Sequence, residues 1–377
     1  MRSAYSSDMM TGVASATATE RYRQRFPATS AGHFRQLQDL WVSSIGLGTY
    51  LGDADEATDA SYADAIRTAL ALGCNLLDTA INYRCQRSER TIGAVLAALV
   101  DEGTLAREEV VICTKGGYLP FDGSVPADPA RYLADTVVRA GLAPYEEIVA
   151  GCHCLHPGYL DHALSMSLAN LRVQTIDVYY LHNPEQQLDE LDREEFERRL
   201  AAAFALLERR VAEGRLRYYG VATWNGLRTA PSAKSHLSLE TLVSLAERVG
   251  GGSHHFKAIQ LPYNLAMPEA STFRNQTVGG APMTVLEAAE RLGLSVAISA
   301  SLLQSRLATL SRGLDERIPG LATSAQRAIQ FVRSTPGVTA ALVGMHQRQH
   351  VEENFALASH PLLDANALAH LFDRSHR

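Results

Sequence analysis

The chain has 377 residues, 46% apolar and 20% charged, with a formal net charge of −6. This is the composition of an ordinary globular protein with room for a large core, either one α/β barrel with insertions or two smaller domains. The acidic balance and the dispersed Lys and Arg argue against nucleic acid or an anionic membrane as the main partner, and no apolar run approaches the ~20 residues of a membrane span.

Residues 1–33 are rich in Ser, Ala and Thr and carry several Arg, without the apolar stretch of a secretory signal. They read as a polar, flexible extension, with a transit peptide as the competing assignment. From residue 44 onward, strand and helix signals alternate. Strands are expected at residues 45–50, 75–78, 109–114 and 175–182, then at 216–222, 258–262, 295–299 and 339–343. Helices are expected at residues 60–72, 88–100, 196–211, 239–249, 285–292, 324–333 and 349–358. The first stops at Gly73, and the second has Ser88 as a candidate N-cap. The third carries Phe196, Leu200, Phe204, Leu207 and Val211 at helical spacing before Gly214.

Eight strand–helix units predict a (β/α)8 TIM barrel over residues 34–377. A doubly wound open sheet is the alternative. It commonly carries a glycine-rich phosphate loop after its first strand, and Gly46-Leu47-Gly48-Thr49 leads into none. Residues 116–157, 183–193 and 300–322 are longer than ordinary connections. All would lie at the C-terminal face, where loops set substrate choice. Residues 361–374 read as a terminal helix. Cys74, Cys85, Cys113, Cys152 and Cys154 are odd in number and read as reduced thiols of a cytoplasmic protein.

The chemistry gathers at strand ends. Asp78 closes the second expected strand, with Tyr83 just beyond it. Lys115 follows the third, and His182 closes the fourth. In a parallel barrel those ends share one face. A tyrosine phenol, near pKa ~10, is a poor acid at neutral pH. Lys115 is expected to lower the Tyr83 pKa and Asp78 to hold Lys115 in place, which makes Tyr83 a candidate general acid. Cys152-His153-Cys154 with His156 invites a metal reading, but the spacing is too tight for one ion, so no metal is expected.

Further segments fall in order around these four: Ile45-Gly46-Leu47-Gly48-Thr49, Leu77-Asp78-Thr79-Ala80, Ser88-Glu89, Ile92-Gly93, Thr114-Lys115, Ser167-Leu168, Asp177, Leu181-His182, Gly220-Val221, Gln260 with Pro262-Tyr263-Asn264, and Glu353-Asn354. In that order and spacing the chain resembles the aldo-keto reductase family from Phe34 to about Ala358. The resemblance implies that residues 34–44 form a hairpin plugging the barrel floor. It implies NADP(H), with NAD(H) as the alternative, bound across the barrel mouth and a small carbonyl or alcohol substrate. His182 would orient the carbonyl oxygen beside Tyr83.

Cofactor contacts would come from Thr49, Asp78, Thr223, Gln260, Ser299, Leu302, Gln304, Gly344, Arg348, Glu353 and Asn354. Tyr118, Phe121 and Trp224 would wall the substrate. The chain departs from the family in places. Gly220-Val221-Ala222-Thr223 stands for the usual Gly-Val-Ser-Asn, Ser299 for a stacking aromatic, and Gly344 and His350 for two usual cations, with Arg348 close by. The rival functions are a non-catalytic NADPH-binding redox-sensing module and a metal-dependent barrel hydrolase. The hydrolase would need more His and carboxylates at strand ends than Asp78 and His182.

Overall fold

The computed structural model describes residues 9–309 and 314–372. Eight parallel strands close into a barrel: β1 (Ile45–Gly48), β2 (Leu76–Asp78), β3 (Val111–Gly116), β4 (Ile176–His182), β5 (Leu216–Ala222), β6 (Phe256–Pro262), β7 (Ser295–Ser299) and β8 (Ala340–Gly344). Each pairs with its neighbours in sequence, and β8 pairs with β1 to close the ring. The helices that return the chain are α1 (Glu56–Ala71), α2 (Arg87–Asp101), α3 (Pro157–Leu171), α4 (Arg193–Ala212), α5 (Leu239–Gly250), α6 (Val285–Arg291), α7 (Ser324–Ser334) and α8 (Arg348–Phe355). The (β/α)8 reading holds, and the open sheet is excluded.

Side chains alternate across a strand, so every second residue enters the barrel lumen. The lumen is filled by Leu76, Val111, Cys113, Val178, Tyr180, Ala222, Ala258, Ala297, Ala340 and Leu342. Small residues on β5 to β8 leave room for Tyr180. An antiparallel hairpin, Phe34–Leu37 with Leu40–Ser43, plugs the floor, and its Leu37, Leu40 and Val42 join the same cluster. Gly220 marks a tight passage between β5 and β6. A Cβ there would lie 1.7 Å from the Ala258 carbonyl oxygen, beside a slip in strand register at Phe256/Ala258.

Three expectations are corrected. The stretch before the hairpin is folded from residue 9 onward. The Ala14 amide donates to Asp177 Oδ1 at 2.7 Å, and Asp177 also pairs with Arg107 at 2.8 Å. Helix Ala16–Gln24 buries Tyr22, whose hydroxyl lies within hydrogen-bond distance of the carbonyls of Leu70 (2.6 Å) and Cys74 (2.8 Å). These anchors are single residues and leave no periodic signature; residues 1–8 lie outside the described part. Helix α3 was not expected. It buries Leu160, Ala163, Leu164, Leu168 and Leu171 and ends at Arg172 in a left-handed conformation, without a glycine stop. Ser88 caps nothing. It lies inside α2 and donates to the Thr49 carbonyl at 2.8 Å, tying the helix to the end of β1.

The terminal helix runs Ala365–Phe372; residues 373–374 of the expected segment lie outside the described part. Among the described residues no helix is long and apolar enough to cross a membrane, and the five cysteines are free.

Candidate active site

The alternation that fills the lumen also builds its top layer. Leu76 is followed by Asp78 on the same strand face, Val111 and Cys113 by Lys115, Tyr180 by His182, and Ala258 by Gln260. The four polar residues therefore rise out of an apolar plug at the C-terminal mouth. Lys115 is fully buried, and its Nζ donates to Asp78 Oδ2 at 2.7 Å and to the Thr79 carbonyl at 2.7 Å. The Tyr83 hydroxyl lies 3.4 Å from the same Nζ. Asp78 Oδ1 accepts from Gln260 Nε2 at 2.8 Å. The Tyr83 ring stands edge-on to Tyr50 (5.0 Å between centroids) and to His182 (5.8 Å).

Electrostatics follow from this packing. Burial pulls the Lys115 ammonium down, but Asp78 and Tyr83 more than offset it, so its pKa lies above the ordinary lysine value. Burial pushes the Tyr83 phenol up, and Lys115 pulls against it, with the net direction upward. The lowering expected from Lys115 is present, but burial outweighs it. Tyr83 is only half-buried, so that burial effect is weaker than for a tyrosine wholly inside. His182 is held well below the ordinary histidine value, first by burial and then by Lys115 and His153. It is neutral at neutral pH. Its Nδ1 is buried without a partner among the described residues.

A cavity of about 350 Å³ opens over this layer. Of the expected site residues, Thr49, Asp78, Tyr83, Tyr118, His182, Thr223, Trp224, Gln260, Ser299, Leu302, Gln304 and Gly344 line it. Lys115 lies just beneath, in contact through Asp78 and Tyr83. Phe121 does not line it; its ring packs edge-on against Tyr132 at 5.8 Å, within the long loop after β3. Arg348, Glu353 and Asn354 also stand away from the cavity. Arg348 is bonded to Glu352 at 2.8 Å and faces Asp64 at 3.7 Å. Glu353 accepts from Thr323 Oγ1 at 2.7 Å. Sequence reasoning missed Tyr50, Asn82 and Asn183, which line the cavity. Tyr50 and Asn183 follow β1 and β4 directly, so the rule that placed Asp78 and His182 could have found them.

An extended anionic cofactor fits what is present. Gly48 and Gly344 pair side by side on β1 and β8 and leave a ledge without side chains. Helix α8 begins without a side-chain cap, so its first N–H groups are open to an anion. Thr223 Oγ1 and Asn354 Oδ1 are buried polar atoms without partners among the described residues. No group of His, Cys, Asp and Glu suited to a metal ion occurs among the described residues. His153, in the segment that invited a metal reading, has both ring nitrogens engaged by protein groups.

Comparison with known proteins gives the family and the fold. The model of the Aldo/keto reductase family matches residues 44–247, more than half of the chain. The chain belongs to the aldo/keto reductase family. Over 160 residues it is 32% identical to 6-dehydroglucose reductase of Novosphingobium aromaticivorans, a stretch spanning 40% of this chain and 42% of that relative. It is 22% identical over 327 residues to the uncharacterized oxidoreductase YqkF of Bacillus subtilis, covering 85% of this chain and 89% of that one. Among solved structures it is similar to an aldo/keto reductase from Klebsiella pneumoniae in complex with NADP and acetate, with TM-score 0.59, 22% identity and coverage of 91% and 94% of the two chains. A glycerol dehydrogenase from Gluconobacter oxydans gives TM-score 0.62 and 18% identity over 90% and 94%. At such identities the structural likeness establishes the fold.

Proposed function

We propose that the chain reduces an aldehyde or ketone with NADP(H), with Tyr83 as the general acid. The observation that carries this reading is the convergence of Asp78, Tyr83 and His182 at one cavity over Lys115, which contacts Asp78 at 2.7 Å and Tyr83 at 3.4 Å, with the His182 ring 5.8 Å from that of Tyr83. The nicotinamide, when bound, supplies the hydride to the carbonyl carbon. Neutral His182 donates a hydrogen bond to the carbonyl oxygen and aligns it. The Tyr83 hydroxyl passes its proton to that oxygen, and Lys115 stabilises the phenolate left behind. Asp78 fixes Lys115, and through Gln260 it ties the acid to the residues that would hold the carboxamide. Thr49, Thr223 and Gln260 would hold the nicotinamide end, Ser299, Leu302 and Gln304 would cover it, and Gly344 with the α8 N-terminus would take the phosphates. Arg348, Glu353 and Asn354 would serve the adenosine end.

The NADP of the Klebsiella structure supports this cofactor. The names of two relatives, a 6-dehydroglucose reductase and a glycerol dehydrogenase, and the polar rim of Tyr50, Asn82, Tyr118 and Asn183 support a hydroxylated substrate. The free cysteines support a reducing compartment. Absorbance-monitored turnover of NADPH and NADH over a panel of hydroxylated aldehydes and ketones tests the reading. Steady NADPH consumption is expected. NADPH binding without turnover would favour the non-catalytic module. NADPH should bind more tightly than NADH, and Arg348→Ala should shrink the gap by about tenfold, the worth of one charge-assisted hydrogen bond. Equal weakening of both cofactors would show that Arg348 does not read the 2′-phosphate.

The pH profile gives a second check. The Tyr83 and Lys115 pKa values lie above ordinary and that of His182 lies well below, so none of the three titrates between about pH 6 and 9. Reduction needs protonated Tyr83, so kcat/KM should be flat there and fall only in more alkaline solution. A decline between about pH 6 and 8 would mean that His182 must be charged, against the burial seen here.

A further inference from the structure

His153 lies on the long loop after β3, in a two-residue strand, His153–Cys154, paired with Ile148–Val149. Its side chain is inaccessible to solvent. Nε2 stands 2.7 Å from the backbone carbonyl oxygen of His182, and Nδ1 stands 2.9 Å from Gln187 Nε2. Gln187 Oε1 in turn accepts from Arg199 Nη1 at 3.2 Å. Arg199 is anchored by Glu195 at 2.8 Å and Glu147 at 3.2 Å.

Donor and acceptor capacity orders this chain. A carbonyl only accepts, so His153 Nε2 carries the proton. A guanidinium only donates, so the Gln187 carbonyl oxygen must face Arg199 and its NH2 must face His153. That NH2 donates to the Nδ1 lone pair, and the tautomer is fixed from both sides. Flipping the amide would set NH2 against the guanidinium and oxygen against the lone pair. Burial holds the His153 pKa down to about 4, so the ring is neutral at neutral pH.

What this chain grips is the peptide linking His182 to Asn183. Its carbonyl is held by His153 and its N–H donates to the Ala222 carbonyl at 2.6 Å. Asn183 there adopts φ 44°, which the two hydrogen bonds sustain. The Tyr118 ring stands edge-on between the two imidazoles, with its centroid 5.0 Å from each. At Gly117, φ is +140°, and a Cβ would come within 2.9 Å of His153 Nε2 and 3.0 Å of the His182 oxygen. Only glycine lets the loop come this close.

We propose that His153 is a positioning residue of the active site. Its tautomer is set by Gln187 and Arg199, and it fixes the end of β4 and hence the ring of His182 over the reacting carbonyl. This rests on the reductase reading, and the test separates the two. His153→Phe keeps a ring against Tyr118 and removes both nitrogens. It should lower kcat by ~10–100-fold, the scale of a misplaced reacting geometry, while leaving NADPH affinity unchanged. His153→Gln keeps a donor near the Nε2 position and should recover most of the loss. Unchanged kcat in His153→Phe, or no rescue by Gln, overturns the proposal.

Imidazole nitrogen spectra of the isotope-labelled full chain give a readout independent of activity. His153 should show the Nε2–H tautomer, and Gln187→Met should shift the ring signals of His182. The other tautomer, or unmoved His182 signals, overturns the proposal whether or not the protein turns over any carbonyl. Expected spectra on a protein without turnover would sink the reductase reading and leave the positioning role standing. Should His153→Phe fail to fold, Gln187→Met carries both the kinetic and the spectroscopic test.

Discussion

Tyr83→Phe is expected to lower turnover by ~10²–10⁴ while leaving the fold and cofactor affinity intact, the usual worth of a positioned general acid. The structure makes this a clean substitution. Among the described residues the hydroxyl has one hydrogen-bond partner, Lys115 Nζ at 3.4 Å. Phenylalanine keeps the ring that stands edge-on to Tyr50 and His182. Lys115 keeps its bonds to Asp78 and the Thr79 carbonyl. Thermal midpoint and NADPH dissociation constant should therefore match the wild type, and the loss should fall on kcat. Near wild-type turnover on a good substrate would show that the proton comes from elsewhere, such as a water held by His182, and would remove Tyr83 from its role.

The barrel was legible because its strands are short apolar runs separated by helices with period near 3.6, and burial on both faces of a parallel strand leaves that pattern in plain view. What escaped was marked by single contacts or unusual ends. Helix α3 stops at left-handed Arg172, where a glycine signal was missing. The stretch from residue 9 to the hairpin is pinned by scattered individual contacts, among them the Ala14 amide, the Tyr22 hydroxyl and the Met10 amide on the Arg172 carbonyl. In the site, Asp78, Lys115 and His182 were legible because strand ends of a parallel barrel share a face, whereas Gln260 came only through the family resemblance. Residues farther out on the loops followed no such rule. Phe121 and His153 lie on the same long loop, and its fold turns the first away from the cavity and brings the second against β4. The direction of the Tyr83 pKa was also misjudged, because sequence shows the neighbouring charge and hides the depth of burial.

Lys115→Met should reduce turnover about as far as Tyr83→Phe, yet for a different reason, and stability tells the two apart. With Lys115 gone, burial acts on the Tyr83 phenol unopposed, and no cation remains to receive the developing phenolate. The same change strands Asp78. This carboxylate is 5% exposed and, among the described residues, keeps only Gln260 Nε2 as a side-chain donor. Removing one partner of a buried ion pair typically costs about 3–5 kcal/mol, so the thermal midpoint should drop, unlike that of Tyr83→Phe. Adding Asp78→Asn to Lys115→Met takes away the stranded charge. The double variant should regain much of the stability and none of the turnover, a coupling that a double-mutant cycle reads directly. Lys115→Arg should not rescue activity, because the site encloses the lysine completely and the wider guanidinium cannot place one donor toward both Asp78 and Tyr83. A Lys115→Met protein as stable as the wild type would mean that the Lys115–Asp78 pair does not hold the barrel mouth together. One that still reduced carbonyls at the wild-type rate would mean that Tyr83 needs no cation beside it.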